Sequence, residues 1–234
     1  NFSSMIQTIS FVDETSPTIN INNQILEANI TGGSDITIEI PIVDDIQSTS
    51  ITNDAPETFP LGETIVTWTA TDSSGNTSSA TQIITVVDTT VPEVTAPKDL
   101  RIEAIHNEDN IIDLIGIRVS DQVEIASITN DAPETFPLGE TIVTWTATDV
   151  VGNISTLSQS IELIDTVPPR IAFAEDIILE ASSIDENTIE LVIPETTDEV
   201  GVISITNDAP ETFPLGETIV TWTATDSSGN FSSM

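Results

Sequence analysis

No cysteine occurs anywhere in the chain, so no disulfide staples it and cysteine-based zinc or redox sites are excluded. Positive charge is almost missing as well. Lys98 is the only lysine, His106 the only histidine, and lysine and arginine together number 4. A Ser-His-Asp triad or a Ser-Lys dyad therefore has almost nothing to be built from, and one lysine cannot supply recurring Lys-Asn isopeptide bonds. Carboxylate pairs of the kind glycoside hydrolysis uses are abundant, but a small repeated domain offers no deep cleft to hold them around a sugar. The composition points away from an enzyme. No apolar run reaches the roughly 18 residues of a membrane span, so no membrane insertion is expected. The chain has neither a signal peptide nor an initiator methionine, which reads as an internal or mature fragment.

What is present is acid: 39 Asp and Glu give a formal net charge of -35. That charge repels phosphate backbones and anionic lipid surfaces, so nucleic acid is not an expected partner. With 38% hydrophobic residues and clear strand patterns, the acidity suits a folded protein in salty or calcium-rich surroundings better than a disordered tail. The expected location is extracellular, secreted or at the cell surface.

The second feature is repetition. The 23 letters SITNDAPETFPLGETIVTWTATD stand at 50–72, 127–149 and 204–226 without a change, 77 residues apart each time. The asparagines that follow extend the register: Asn1, Asn76, Asn153 and Asn230 are spaced by 75, 77 and 77. A fixed period of this length is the signature of a tandem array. It divides the chain into three units of about 75 residues, small but foldable. The boundaries read as 1–12, the last strand of a preceding repeat, then repeats over 13–88, 89–165 and 166–234, the third lacking its last strand.

Within a unit, alternation of apolar and β-branched residues predicts strands and no helix. In the first unit the strands fall at about 18–28 (split), 35–43, 48–54, 64–72 and 77–87, with a corner at ETFPLGET. In TIVTWTATD, Val66, Trp68 and Ala70 share the face that packs inward, opposite Ile65, Thr67, Thr69 and Thr71. This describes a small antiparallel sandwich, and the three tryptophans, Trp68, Trp145 and Trp222, read as core residues rather than sugar-stacking platforms. The linkers FVDETSPTI, VVDTTVPEV and LIDTVPPRI are short and contain no Gly/Ser stretch, so the domains are expected to stack in an extended rod.

The run TFPLGETIVTWTATDSSGNTSSATQIITVVDTTVP at 58–92 resembles the HYR (hyalin repeat) module. Its marks are an FP-x-G-x-T corner, a strand ending T-A-x-D, a Gly-Asn turn, a final strand and a D-x-x-x-P exit. PKDLRIEA (97–104) and AEDIILEA (174–181) resemble the family's opening strands. The resemblance implies an all-β fold of three tandem immunoglobulin-like β-sandwich repeats and a role in adhesion or extracellular assembly. Many members of the family carry a cysteine pair, which this sequence lacks.

In such a sandwich the incoming linker, the loop after the second strand and the loop before the last strand lie at one end of the domain. Three aspartates in register should meet there in each unit: Asp13, Asp44 and Asp72; Asp88, Asp121 and Asp149; Asp165, Asp198 and Asp226. Carboxylates that close repel one another, and hard oxygen ligands suit Ca²⁺, with backbone carbonyls and waters completing six to eight positions. The alternative is that aspartate is there for its turn preference. N-x-[ST] sequons place Asn1, Asn76, Asn153 and Asn230 in one equivalent turn, and Asn29 begins another, so all five are candidate glycosylation sites. A Gly-Asn hairpin turn followed by an ordinary Ser/Thr strand is, on chemistry alone, the stronger explanation of the four turn sequons.

The expected function is structural: a segment of a secreted, calcium-stabilised repeat protein forming a fibre, stalk or cell-surface filament. Its partners would be further copies of the same repeat, in the same chain or in neighbouring subunits. The alternative is an adhesin module that binds a surface glycan or protein receptor. Residues 1–5 and 230–234 both read NFSSM, an in-register closure that suggests either a continuing array with a longer super-repeat or subunits that donate an N-terminal strand.

Overall fold

A computed structural model describes residues 2–95 and 97–234. Among them there is no helix. The strands in chain order are β1 (Thr18–Asn20), β2 (Gln24–Glu27), β3 (Gly33–Ser34), β4 (Ile42–Asp44), β5 (Thr49–Asn53), β6 (Phe59–Pro60), β7 (Gly62–Asp72) and β8 (Thr77–Val87). They are followed by β9 (Glu93–Thr95), β10 (Leu100–Glu103), β11 (Arg118–Ser120), β12 (Ile125–Asn130), β13 (Gly139–Asp149) and β14 (Ile154–Ile164). The last five are β15 (Arg170–Ile171), β16 (Thr196–Thr197), β17 (Val202–Asn207), β18 (Trp222–Asp226) and β19 (Phe231–Ser233). The chain divides into two compact units, one of Asn1–Val94, Val119–Ile128 and Thr146–Ser155, the other of Thr95–Arg118, Thr129–Trp145 and Thr156–Met234.

The organising element is the hairpin of two long strands, β7 and β8, joined by the Asp-Ser-Ser-Gly-Asn turn. Its register runs from Gly62 opposite Val86 to Thr71 opposite Thr77. Period-two alternation puts Val66, Trp68 and Ala70 on the buried side of β7, and Gln82, Ile84 and Val86 on the buried side of β8. β5 pairs antiparallel with β7, and β2 pairs parallel with the end of β8, Gln24 opposite Ile84 through Glu27 opposite Val87. The resulting order is β2-β8-β7-β5, and the second sequence copy repeats it as β10-β14-β13-β12. A hairpin flanked on one side by an antiparallel strand and on the other by a short parallel strand is an immunoglobulin-type sheet. Short pairs, β1 with β4 and β3 with β6, lie outside this sheet.

The first core gathers Ala28, Phe59, Val66, Trp68, Ile84 and Val86, and the second Ala104, Phe136, Val143, Ile161 and Leu163. Each is completed from further along the chain, by Val123 in the first and Val200 in the second. The buried tryptophans satisfy their N–H groups across the hairpin: Trp68 Nε1 donates to Gln82 Oε1 at 3.0 Å and Trp145 Nε1 to Gln159 Oε1 at 3.1 Å. A buried glutamine in a β core is costly unless every polar atom is paired, and Gln82 Nε2 duly donates to the Asn22 carbonyl at 2.8 Å.

The strand expected over 35–43 is the one that differs. Only Ile42–Asp44 is paired. Ile36 and Ile38 still pack against the core, so the alternating pattern reports burial correctly. Pro41 has no N–H to give a ladder, and the segment packs by its side chains without regular backbone pairing. Residues 2–17 likewise form no strand, and their large hydrophobic side chains are exposed.

Candidate functional site

Each long strand ends in the same turn, and the turn is built around an aspartate. In Asp72-Ser73-Ser74-Gly75-Asn76 the glycine adopts φ +92°, in Asp149 to Asn153 Gly152 adopts +106°, and in Asp226 to Asn230 Gly229 adopts +90°. That left-handed step is open to glycine at no steric cost, and it turns successive N–H groups toward the carboxylate. Asp149 Oδ1 accepts from the backbone N–H of Val151, Gly152 and Asn153 at 2.8, 2.6 and 3.0 Å. Asp226 Oδ1 accepts from Ser228 and Asn230 at 2.9 and 2.8 Å, and Asp72 Oδ1 from Asn76 at 2.8 Å.

Two more carboxylates join each of these. Ligand atoms of Asp13, Asp45 and Asp72 lie within 4.8 Å of one another, as do those of Asp88, Asp121 and Asp149, and of Asp165, Asp198 and Asp226. The structure thus brings together eight of the nine aspartates expected from their register, and in the first group it places Asp45 where Asp44 was expected. Asp44 ends β4 opposite Thr18 and is exposed. The reason is a one-residue contraction: five residues separate Asp121 from Ser127 and Asp198 from Ser204, but only four separate Asp45 from Ser50. What is kept is the local turn. Asp45 Oδ1 accepts from the N–H of Gln47, Asp121 Oδ1 from Val123 and Asp198 Oδ1 from Val200, at 2.8, 3.1 and 2.8 Å.

Asp72, Asp88, Asp149 and Asp226 are 0–5% exposed. Burial pushes the carboxyls of Asp72 and Asp149 up, but the hydrogen bonds from Asn76 and Asn153 and from the turn N–H groups outweigh it and hold both below the ordinary aspartate value of 3.8. Asp72 and Asp149 are thus built to stay ionised. No basic side chain balances them: the single side-chain ion pair among the described residues, Arg101 with Glu162 at 2.9 Å, is exposed and elsewhere. In the third group Asp165 Oδ2 is buried with no hydrogen-bond partner. A carboxylate oxygen left in that state costs stability unless something satisfies it. Three convergent anionic oxygen donors with one orphaned oxygen fit a hard divalent cation such as Ca²⁺. They do not fit a softer metal, for which His and Cys would be expected.

The turn asparagines occupy a place that their sequons do not reveal. Asn76 Nδ2 donates to Asp72 Oδ2 at 2.7 Å and to the Asp13 carbonyl at 3.1 Å. Asn153 Nδ2 donates to Asp149 Oδ2, the Asp88 carbonyl and Asp88 Oδ2 at 2.8, 3.2 and 3.2 Å, and Asn230 Nδ2 to Asp226 Oδ2 and the Asp165 carbonyl at 2.9 and 3.1 Å. Nδ2 is the atom that a glycan would be joined to, and here both of its hydrogens are engaged in tying the incoming linker to the turn. Asn29 is exposed, its Oδ1 accepting from the Asp35 N–H at 3.0 Å. Asn1 lies outside the described residues.

Three further residues belong to the site that spacing alone does not single out. Glu27 accepts from the N–H and hydroxyl of Thr89 at 2.5 and 3.1 Å, and Glu103 does the same with Thr166 at 2.6 and 3.0 Å. These carboxylates pin the residue directly after Asp88 and Asp165. In the first group Gln47 Nε2 donates to Asp13 Oδ2 at 2.6 Å and its Oε1 accepts from Ser73. The signal for the glutamates was in the sequence, as the shared Ile/Leu-Glu-Ala ending of β2 and β10 with a Thr after the linker aspartate.

The family model described as HYR domain matches residues 12–86 and 164–233. Hyalin of Lytechinus variegatus is 30% identical over 237 residues, covering 92% of this chain and 44% of that protein. Hyalin of Strongylocentrotus purpuratus is 31% identical, covering 94% of this chain and 20% of that one. The chain thus spans less than half the length of these relatives. Among solved structures, mouse cadherin-23 EC22-24 superimposes with a TM-score of 0.35 at 13% identity, covering 94% of this chain and 97% of that one.

Proposed function

Since this chain belongs to the HYR domain family, we propose that it is a structural segment of a secreted, calcium-stabilised adhesion-type repeat protein. In this reading the chain is three tandem sandwiches, over 13–88, 89–165 and 166–234, arranged as a rod, and Ca²⁺ bound at each aspartate group stiffens it. The observation that carries the reading is the recurrence of one arrangement three times: a linker aspartate, a loop aspartate and a strand-end aspartate within reach of one another.

Asp13, Asp45 and Asp72, Asp88, Asp121 and Asp149, and Asp165, Asp198 and Asp226 would hold the ions. The cation supplies a positive centre that converts mutual carboxylate repulsion into attraction among three separate segments. The chain's own residues prepare it. The turn N–H groups fix Asp72, Asp149 and Asp226, the asparagine amides tie the linker carbonyl to the turn, and Glu27 and Glu103 hold the threonines that follow. Extracellular calcium modules commonly bind Ca²⁺ at about 10⁻⁴–10⁻³ M, so millimolar calcium would fill from about half to most of such sites.

Thermal unfolding and sedimentation at low salt test the proposal. Millimolar Ca²⁺ is expected to raise the melting temperature and to hold the frictional ratio at the high, reproducible value of a stiff rod, and a chelator to lower both as the junctions loosen. Identical values with Ca²⁺ and with chelator would overturn it.

A further inference from the structure

In a chain where 39 of 234 residues are acidic, the outer face of the first sheet is neutral. Residues directly opposite one another in antiparallel strands point to the same side, so the register that buries Val66, Trp68 and Ala70 turns Thr67, Thr69 and Thr71 outward, opposite Thr81, Ser79 and Thr77 of β8. Ser50 and Thr52 of β5 extend the same rows, opposite Thr71 and Thr69. Ile65 adds an apolar side chain to this face and is 66% exposed. Acids enter at the margin, where Glu63 lies opposite Thr85 and Glu27 opposite Val87.

The same letters return with each sequence copy. Thr67, Thr69 and Thr71 recur as Thr144, Thr146 and Thr148 and as Thr221, Thr223 and Thr225, and Ile65 recurs as Ile142 and Ile219, 54% and 80% exposed. The outward positions Thr77, Ser79 and Thr81 of β8 become Ile154, Thr156 and Ser158 in β14, so the letters change but no charge enters. Packing is not the constraint, since a core position does change: buried Val86 gives way to buried Leu163. What is kept is a neutral surface with an isoleucine that no core holds in place. Its hydroxyls are ordered among themselves, Thr69 Oγ1 lying 3.3 Å from Ser79 Oγ and Thr223 Oγ1 3.0 Å from Ser233 Oγ.

We propose that this threonine face is a lateral contact surface, and that its occupant is the same face of a second copy of this chain. Two chains of net charge -35 repel one another, and they approach with least repulsion where neither presents an ionised group. A partner with the same 77-residue period also meets every face at once, so that weak contacts reinforce one another. One face is too small to act alone: three strands over seven residues present roughly 300 Å², against about 800 Å² per partner in a stable interface. Three faces in series reach about 900 Å², a step that rests on the reading of the chain as three tandem sandwiches. In the contact the isoleucines and threonine methyls lose water, while the hydroxyls keep the bonds they already make along the face. No cation takes part in it.

Sedimentation velocity of the 234-residue chain over a concentration series tests the proposal, in millimolar Ca²⁺ and with chelator, at low and at physiological NaCl. Association is expected, and it should strengthen with salt, because screening weakens the repulsion between chains and leaves the neutral contact intact. Thr69→Glu, Thr146→Glu and Thr223→Glu, introduced singly and together, are expected to weaken it by about tenfold or more for each face. At physiological NaCl, a 1:1 mixture of the triple-Glu chain with a chain carrying Thr69→Lys, Thr146→Lys and Thr223→Lys is expected to restore association, which also shows that both variants fold. A parent chain that stays monomeric would overturn the proposal and leave the face to a partner of other chemistry. Association that weakens with salt, or that the triple-Glu chain retains, would overturn it too, since the contact would then lie elsewhere. The effect of Ca²⁺ on the melting temperature is read separately on the same samples, so the calcium reading can fail while this one stands.

Discussion

At the scale of single residues, the asparagine of each turn is the unexpected one. A sequon marks Asn76, Asn153 and Asn230 as acceptors of glycan, but their amide nitrogens already bridge two oxygens in Asn76 and Asn230 and three in Asn153. Joining a sugar there would remove a donor and force the linker away from the turn. Expressed in a glycosylating host, the folded chain is expected to carry glycan at Asn29 and none at Asn76, Asn153 or Asn230, as read by glycopeptide mapping; full occupancy of the three turns would contradict the placement. The same amides help to keep Asp72 and Asp149 ionised. Because both carboxyls sit below the ordinary value of 3.8 when folded, their contribution is fully present above that value and is lost as pH falls beneath it. Asn153→Ala removes a hydrogen bond to the charged form of Asp149, so its acid unfolding, followed by tryptophan fluorescence without calcium, is expected to begin at higher pH than that of the parent chain. An unchanged acid limb would show that the amide does not set the charge. Among the three groups, the first is expected to bind calcium most weakly, since the Gln47 amide already takes up Asp13 Oδ2. Gln47→Ala should narrow the difference.

Strands and loops carry the next layer. The long hairpins were legible from the letters, since Val66, Trp68 and Ala70 alternate with threonines and the last strand runs over 77–87 as its pattern requires. The pairing of Trp68 with Gln82 was not legible, because a polar residue on an inward face carries no label saying which indole it serves. Gln82→Leu keeps the volume but leaves the buried N–H without a partner, a loss of about 1–3 kcal/mol, to be read from denaturant unfolding; an equal or greater stability would mean that water reaches the indole. The stretch 35–41 shows the opposite limit. Alternation predicts a buried face, and Ile36 and Ile38 have one, but whether the backbone also pairs depends on neighbours that no local pattern specifies. The aspartate register was readable to within one residue. Contraction of the loop after Asp45 moved the first group off the 28-residue step, and only the shared turn to Gln47 shows which aspartate holds the position. Val123 and Val200 were invisible in the sequence for a related reason, as each lies two residues past a group aspartate and completes a core otherwise formed by earlier residues. Val123→Ala is expected to cost about 1–3 kcal/mol while leaving calcium binding at Asp121 in place, because the backbone N–H that Asp121 accepts from is kept. Calcium binding lost together with stability would show that the core packing, and not the turn alone, positions Asp121.

For the whole molecule, a net charge of -35 is both a cost and a specification. Self-repulsion at that charge opposes compactness in the absence of counter-ions, and the acids are placed so that nine of them converge in three groups. A divalent cation would resolve the repulsion where it is most concentrated, between a linker, a loop and a strand-end turn, so that adding length also adds stiffness. Monovalent salt at high concentration would screen the exposed acids but should not replace the cation in the buried groups. Isothermal titration of the 234-residue chain with CaCl₂, in physiological NaCl, tests this role for calcium most directly. Saturable binding is expected at three ions per chain, one for each group, falling to two in Asp149→Asn. Heats that never saturate, or a stoichiometry that Asp149→Asn leaves unchanged, would contradict it.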